Sequence, residues 1–189
     1  MTTASPERRG PVQIRGRLTV LRPFIKSDIT PRYIAWLNDP AVVQYSRQRF
    51  ASHTYESCCD YLAACLTARD FFLAIESHTS GDMIGTITAH VSADNASADL
   101  GILVGDRAVW GTGVATDAWS ALMAYLLNEC GIRQITGGTL SANRAMQRVM
   151  EKSGMRLVST ELIQERHGDP CREAFLFALV EPTRAGALR

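Results

Sequence analysis

The sequence predicts a single α+β domain, and three observations carry that prediction. At the centre of the chain the apolar run Leu100-Gly101-Ile102-Leu103-Val104 is followed by Trp110-Gly111-Thr112-Gly113. Apolar residues then recur at Val114, Ala118, Ala121, Leu122, Tyr125 and Leu126, one face of a 3.6-residue helix. The order is strand, glycine loop, helix. Second, Met83 to Val91 alternates, with Met83, Gly85, Ile87, Ala89 and Val91 on one face and Ile84, Thr86, Thr88 and His90 on the other, as in a strand. Third, two β-like runs close the chain, Arg156 to Gln164 and Glu173 to Val180, about a turn at His167-Gly168-Asp169-Pro170.

The remaining elements follow from local chemistry. Leu18 to Arg22 reads as a first strand. Thr30-Pro31 starts a helix, with threonine as N-cap and proline at the first helical position, and Asn38-Asp39-Pro40 stops it. Thr54 caps a second helix that ends near Ala68, on which Tyr55, Cys58, Cys59, Leu62, Cys65 and Leu66 form a buried face. Phe71 to Glu76 is a strand and Ser80-Gly81-Asp82 a turn; Asp94-Asn95 turns into the strand Ala98 to Val104. The central helix runs to about Cys130, a strand follows from Ile132 to Leu140, and a helix from Asn143 to Lys152 is ended by Gly154. Residues 1–13 and 183–189 read as tails around a domain of residues 14–182, with no repeat or linker.

Composition narrows the function classes. A chain of 189 residues, 46% hydrophobic and 21% charged, suits one globular domain with a proper core. No apolar run approaches the roughly 20 residues of a membrane span, and the polar N-terminus has no signal-peptide core. Lys and Arg number 20 against 19 Asp and Glu, net +1, without the basic excess usual for duplex binding. Neither nucleic acid nor a membrane is therefore expected as partner. The five cysteines lack metal-site spacing, so they are expected to serve as small hydrophobes; no metal is expected, and reduced thiols point to the cytoplasm.

The glycine loop is a candidate anion site. Backbone N–H groups and the positive end of the helix dipole face whatever lies above it, and glycines admit close approach. It is not a P-loop, because no Gly-Lys-Ser/Thr follows, and it lacks the third glycine of a dinucleotide fingerprint. Two glycines before a helix also make an ordinary tight turn, so more than the loop is needed.

The rest comes from Asn143 through Met155, which resembles the segment N-x-x-S-x-x-x-x-E-K-x-G-F/M, together with Leu21-Arg22-Pro23 and Trp36-Leu37-Asn38-Asp39-Pro40. With these, the chain from Leu18 to Val180 resembles the GCN5-related N-acetyltransferases (GNAT), in the branch like the ribosomal-protein alanine and serine N-acetyltransferases. The family's loop reads Gln/Arg-x-x-Gly-x-Gly/Ala; Trp110, Gly113 and Ala115 fill its defined positions, with a tryptophan that departs from the consensus but is familiar in that branch. The resemblance implies a mixed, mostly antiparallel sheet of about six or seven strands flanked by about four helices, and an acyltransferase with acetyl-CoA as acyl donor. Pantetheine would add between two splayed parallel strands, at the backbone of Ile102, Leu103 and Val104. Trp110, Gly111, Thr112, Gly113, Val114, Ala115 and Thr116 would hold the pyrophosphate arm. Asn143 would hydrogen-bond the cofactor arm, act as a plain N-cap, or do both.

Catalysis sets its own demands. A lysine-like amine of pKa about 10.4 is neutral at pH 7 at a cost of roughly 4.6 kcal/mol, whereas an α-amine near 7.7–8.0 costs only about 1. Asp99, two residues before Gly101, lies where many relatives carry a glutamate base acting through water; a solvated strand-end aspartate is the alternative. The tyrosine that many relatives use as general acid is replaced by Met150, and the branch's serine by Met146. Ser141, Ser153 or a water would have to substitute. His53 and His90 are the remaining titratable candidates near neutral pH, and His90 shares a polar stripe with Thr86 and Thr88. Trp36, Asn38, Tyr45 and Arg47 are expected on the acceptor side.

The expected activity is acetyl transfer by direct attack of a primary amine, since no cysteine or serine falls in a nucleophile–base pattern. The favoured acceptor is a small molecule such as an amino sugar or another metabolite, with the protein a monomer or homodimer. Acetylation of protein N-termini is the enzymatic alternative, and a non-catalytic acyl-CoA-binding module the other.

Overall fold

The computed structural model describes residues 13–67 and 70–180. The tails expected at residues 1–13 and 183–189 lie outside these, residue 13 apart, as does Ala68 at the second helix's expected end.

Eight strands form one sheet: β1 (Ile14–Arg15), β2 (Thr19–Pro23), β3 (Phe71–Ser77), β4 (Met83–Val91), β5 (Ser97–Val104), β6 (Gln134–Leu140), β7 (Arg156–Ile163) and β8 (Arg172–Val180). Their order across the sheet is β1-β2-β3-β4-β5-β6-β8-β7. Every adjacent pair is antiparallel except β5 and β6, which are parallel. The α-helices are α1 (Pro31–Asn38), α2 (Tyr55–Thr67), α3 (Val114–Asn128) and α4 (Arg144–Lys152). The sheet thus has one strand more than expected, β1, whose two residues are too short to leave a periodic signature and pair with Val20 and Leu21.

Local chemistry explains the helix ends. Thr30 Oγ1 accepts from Tyr33 N at 3.2 Å, with Pro31 at the first helical position of α1. Asn143 Oδ1 accepts from Met146 N at 3.2 Å, so its N-cap role is realised at α4. Gly154 follows α4 at φ +84°, a conformation that costs glycine little.

Helices cover the sheet on both faces. On one side, Ala118, Trp119, Leu122 and Leu126 of α3 and Met150 of α4 pack on Ile75, Ile87, Ile135 and Phe177. Each such large side chain contributes about 1.5–3 kcal/mol on burial. On the other side, Tyr33, Trp36 and Leu37 of α1 and Cys58, Leu62 and Cys65 of α2 pack on Phe24, Phe72 and Ala74. Burial pushes the Cys58 and Cys65 thiols up from their ordinary value, which keeps them protonated and unreactive at neutral pH.

Two details of the sequence pattern are corrected. On α2, Tyr55 and Leu66 are exposed and Cys59 half-buried, because α2 touches the sheet along the narrower stripe of Cys58, Leu62 and Cys65. On β4, Met83 packs with the α1–α2 cluster and Ile84 with the α3–α4 core, the reverse of simple alternation. The register between β3 and β4 skips Ile84, a β-bulge, and the Ile84 carbonyl accepts from both Gly105 N and Asp106 N.

Candidate active site

The parallel pair at the centre of the sheet opens. β5 and β6 are in register only at Ser97–Gln134, Ala98–Ile135 and Asp99–Thr136. Beyond that rung β5 stays bonded to β4 as far as Val104, and β6 to β8 as far as Leu140. Gly137 is one reason: a Cβ there would lie 2.9 Å from the Trp119 ring, so β6 is seated closely on α3. Leu103 of β5, in contrast, packs into the α1–α2 cluster. Backbone groups of alternate residues therefore face an open wedge with no strand to pair them.

The glycine loop stands at the end of β5. Gly111 has φ +78° and Gly113 φ +96°, left-handed values that disfavour any side chain. A Cβ on Gly111 would meet nothing within 4 Å, and one on Gly113 only Leu18 at 3.7 Å, so the space above both is open. The first hydrogen bond closing α3 runs from Asp117 N to Gly113 O, which leaves the N–H groups of Val114, Ala115 and Thr116 ahead of the helical ladder. Trp110 is half-exposed; its Nε1 donates to Val104 O at 2.9 Å, and Arg107 lies 5.5 Å from its ring. The indole thereby takes one of the carbonyls expected to be available to pantetheine.

An acidic residue in the first turn of α3 is turned elsewhere. Asp117 accepts from the N–H groups of Arg17 (2.9 Å), Leu18 (2.9 Å) and Thr19 (3.0 Å) and from Thr19 Oγ1 (2.7 Å). Burial pushes its carboxyl up, but these hydrogen bonds more than reverse that and leave it below the usual carboxylate value. Its charge thus ties the β1–β2 turn to α3.

The open wedge and the loop fit an extended acyl-CoA. The wedge supplies unpaired backbone from Ile102. Leu103, also expected to face pantetheine, turns its backbone to β4 opposite Thr86, because successive strand residues point to opposite sides. The loop from Gly111 to Thr116 supplies N–H donors and a helix N-terminus for phosphate. No acidic group at the loop is left uncompensated, since Asp117 is surrounded by four donors.

The sheet face away from α3 and α4 bears Asp99, Thr136, Gly138, Leu140, Ala174, Leu176, Ser159 and Glu161, because cross-strand partners share a face. Asp99 is exposed and sits on the last closed rung, where Oδ1 accepts from Thr136 Oγ1 at 2.6 Å. His90 is its register partner on β4 and is paired with Asp70 through Nδ1 at 2.7 Å. Ser141 follows directly on the released end of β6; its N–H donates to Glu173 O and its carbonyl accepts from Gln147 Nε2.

On the same face lies a cavity of about 300 Å³, walled by Gly138, Thr139 and Leu140 of β6, Ala174, Phe175 and Leu176 of β8, and Ser159, Glu161 and Ile163 of β7. Tyr45, Arg47 and Glu165 complete it. Arg47 opens a 3-10 turn, Arg47–Phe50. Glu165 is buried and ion-paired with Arg49 and Arg172, while Phe50 lies 4.2 Å from both Arg49 and Arg166.

Of the four residues expected on the acceptor side, Tyr45 and Arg47 line this cavity and the other two have packing duties. Trp36 is buried against Gly105. Asn38 is used at both ends: Nδ2 donates to Ile34 O and His53 O, and Oδ1 accepts from His53 N. His53 in turn bonds Gln48 O through Nε2. Glu161, Glu165, Ser159 and Thr136 were not legible as site residues; only the hairpin that carries most of them was.

The chain matches the family model for the acetyltransferase (GNAT) domain over residues 17–156. No curated protein matches it by sequence. Solved structures do match in fold. A GNAT-family acetyltransferase from Bacillus anthracis has 19% identity, covers 89% of this chain and 98% of its own, and gives a TM-score of 0.78. RimL, a ribosomal L7/L12 alpha-N-protein acetyltransferase in complex with coenzyme A, gives 16% identity, 89% and 98% coverage and 0.78. The aminoglycoside acetyltransferase AAC(6')-Ib with coenzyme A gives 18%, 86% and 95%, and 0.71. With the family model spanning most of the chain over the splayed strands and glycine loop, this protein belongs to the GNAT acetyltransferase family and is an N-acetyltransferase.

Proposed function

We propose that this enzyme acetylates the primary amine of a small molecule bound in the cavity of β6, β7 and β8. One observation carries the reading: Gly138, Thr139 and Leu140 are both the stretch of β6 released from β5 and a wall of that cavity. An amine held there borders the wedge directly. The cavity volume of about 300 Å³ falls at the lower end of the roughly 300–1,000 Å³ typical of small-molecule sites.

Acetyl-CoA supplies the acetyl thioester, held at the Ile102 backbone and at the loop from Trp110 to Thr116. The acceptor amine attacks directly, without an acyl-enzyme. Asp99 takes the amine's proton, directly or through water: Thr136 fixes one carboxylate oxygen and leaves Oδ2 for the proton. Ser141, at the end of the released strand, is the donor to the departing sulfur. His90, the β4 register partner of Asp99, is held in place by Asp70.

Thermal unfolding with excess acetyl-CoA, in the wild type and in Gly113→Glu, tests donor binding. At about 100 times the dissociation constant the wild type gains roughly 2.7 kcal/mol, about 5–10 °C in a chain of this size, and the variant gains nothing. Thiol release from acetyl-CoA over parallel panels of small primary amines and of peptides with free N-termini tests the acceptor. Turnover confined to peptides would overturn the small-molecule reading.

A further inference from the structure

We infer that the acceptor is an amine that also carries an anionic group, and that Arg47 is the side chain that reads it; this rests on the cavity being the acceptor site. The charges around the cavity are unequal in availability. Glu165, with its side chain only 6% exposed, is contacted by both Arg49 and Arg172, so its charge is more than compensated. Arg49 is itself held in place by the Ser46 carbonyl and by stacking on Phe50. Glu165 is therefore a brace for the 3-10 turn and offers no site for a second ammonium.

Glu161 is the other carboxylate. It is exposed on the outer strand β7 and accepts from Ser159 Oγ at 3.0 Å. In register it is two strands out from the wedge, since Leu140 pairs with Ala174 and Ala174 with Glu161, roughly 10 Å at normal strand spacing.

Arg47 differs from both. It is exposed at the start of the 3-10 turn, lines the cavity, and its side chain makes no hydrogen bond or ion pair among the described residues. The cavity lining includes the apolar Leu140, Ile163, Ala174 and Leu176. A guanidinium beside apolar walls matches a carboxylate or phosphate through two parallel N–H bonds. A small amine with an acidic tail satisfies this layout, its amine toward β6 and its anion toward Arg47.

Three probes of equal chain length separate the possibilities: 4-aminobutanoate, butylamine and 1,4-diaminobutane, assayed for kcat/KM with the wild type, Arg47→Gln, Arg47→Lys and Arg47→Glu. The wild type is expected to favour 4-aminobutanoate over butylamine by at least ten-fold, chiefly in KM. That ratio falls to near one in Arg47→Gln, is partly restored in Arg47→Lys, and shifts toward 1,4-diaminobutane in Arg47→Glu. Because each enzyme is compared with itself, loss of folded protein does not mimic the result. Calorimetric binding of N-acetyl-4-aminobutanoate against N-butylacetamide gives the same comparison without turnover. Equal use of the three amines, preference for the diamine, or a ratio unmoved by Arg47→Gln overturns the inference while leaving a small-molecule acetyltransferase. Acetylation of peptides with none of the three amines overturns both.

Discussion

Replacing Asp117 by asparagine should show how the glycine-loop helix is anchored. Four donors converge on this carboxylate, three backbone N–H groups and the Thr19 hydroxyl. The N–H groups of Arg17 and Leu18 are exposed and can turn to water, whereas Thr19 is fully buried. The loss therefore falls on the two Thr19 bonds. Hydrogen bonds to a charged group contribute about 1.5–3 kcal/mol each, and an amide NH2 turned toward donors adds to the penalty. We expect a destabilisation of about 2–4 kcal/mol at pH 7, roughly 5–15 °C in melting temperature. The carboxyl is held below its ordinary value. Its contribution is thus complete above the unfolded-state value of about 3.9 and disappears as pH falls through the folded-state value. Urea unfolding of both proteins from pH 7 down to pH 3 measures this: the gap should be full at pH 7 and narrow below about pH 4. A gap under about 0.5 kcal/mol at pH 7, or one unchanged at the acid end, would refute the assignment.

Two further substitutions probe the packing and the chemistry. Gly105→Ala would place a Cβ 2.0 Å from the Trp36 ring, and since that ring is core it should cost about 1–3 kcal/mol, read as a lowered melting temperature; an unchanged melt would mean that α1 shifts freely. Asp99→Asn should lower kcat on an alkyl amine by about 10²–10⁴-fold and on an α-amine of lower pKa by less, followed by thiol release between pH 7 and pH 10; equal effects on both amines would remove Asp99 as the base.

Much of the fold was legible because its signals are local. Thr30-Pro31, Asn143 and Gly154 mark helix ends through hydrogen bonds and dihedrals set within a few residues. The glycine loop was legible for the same reason, as the backbone geometry of Gly111 and Gly113 belongs to those residues alone. The bulge at Ile84 was not, because it depends on Gly105 and Asp106, from just past the far end of the next strand, converging on one carbonyl. Nor could an alternating pattern say where β5 and β6 part. The positions after Asp99 and Thr136 read as strand whether or not they pair.

The sequence by itself determined the elements other than β1, the glycine loop and the family, since each rests on residue type at short spacing. Only the tertiary structure decided which side chains share the cavity. Arg47, Leu140 and Glu161 come from three distant stretches, and packing rather than local propensity brings them together. It likewise assigned Asp117 to the β1–β2 turn and Glu165 to Arg49 and Arg172. A carboxylate's partner depends on which donors the folded chain delivers to it, and no spacing along the chain records that.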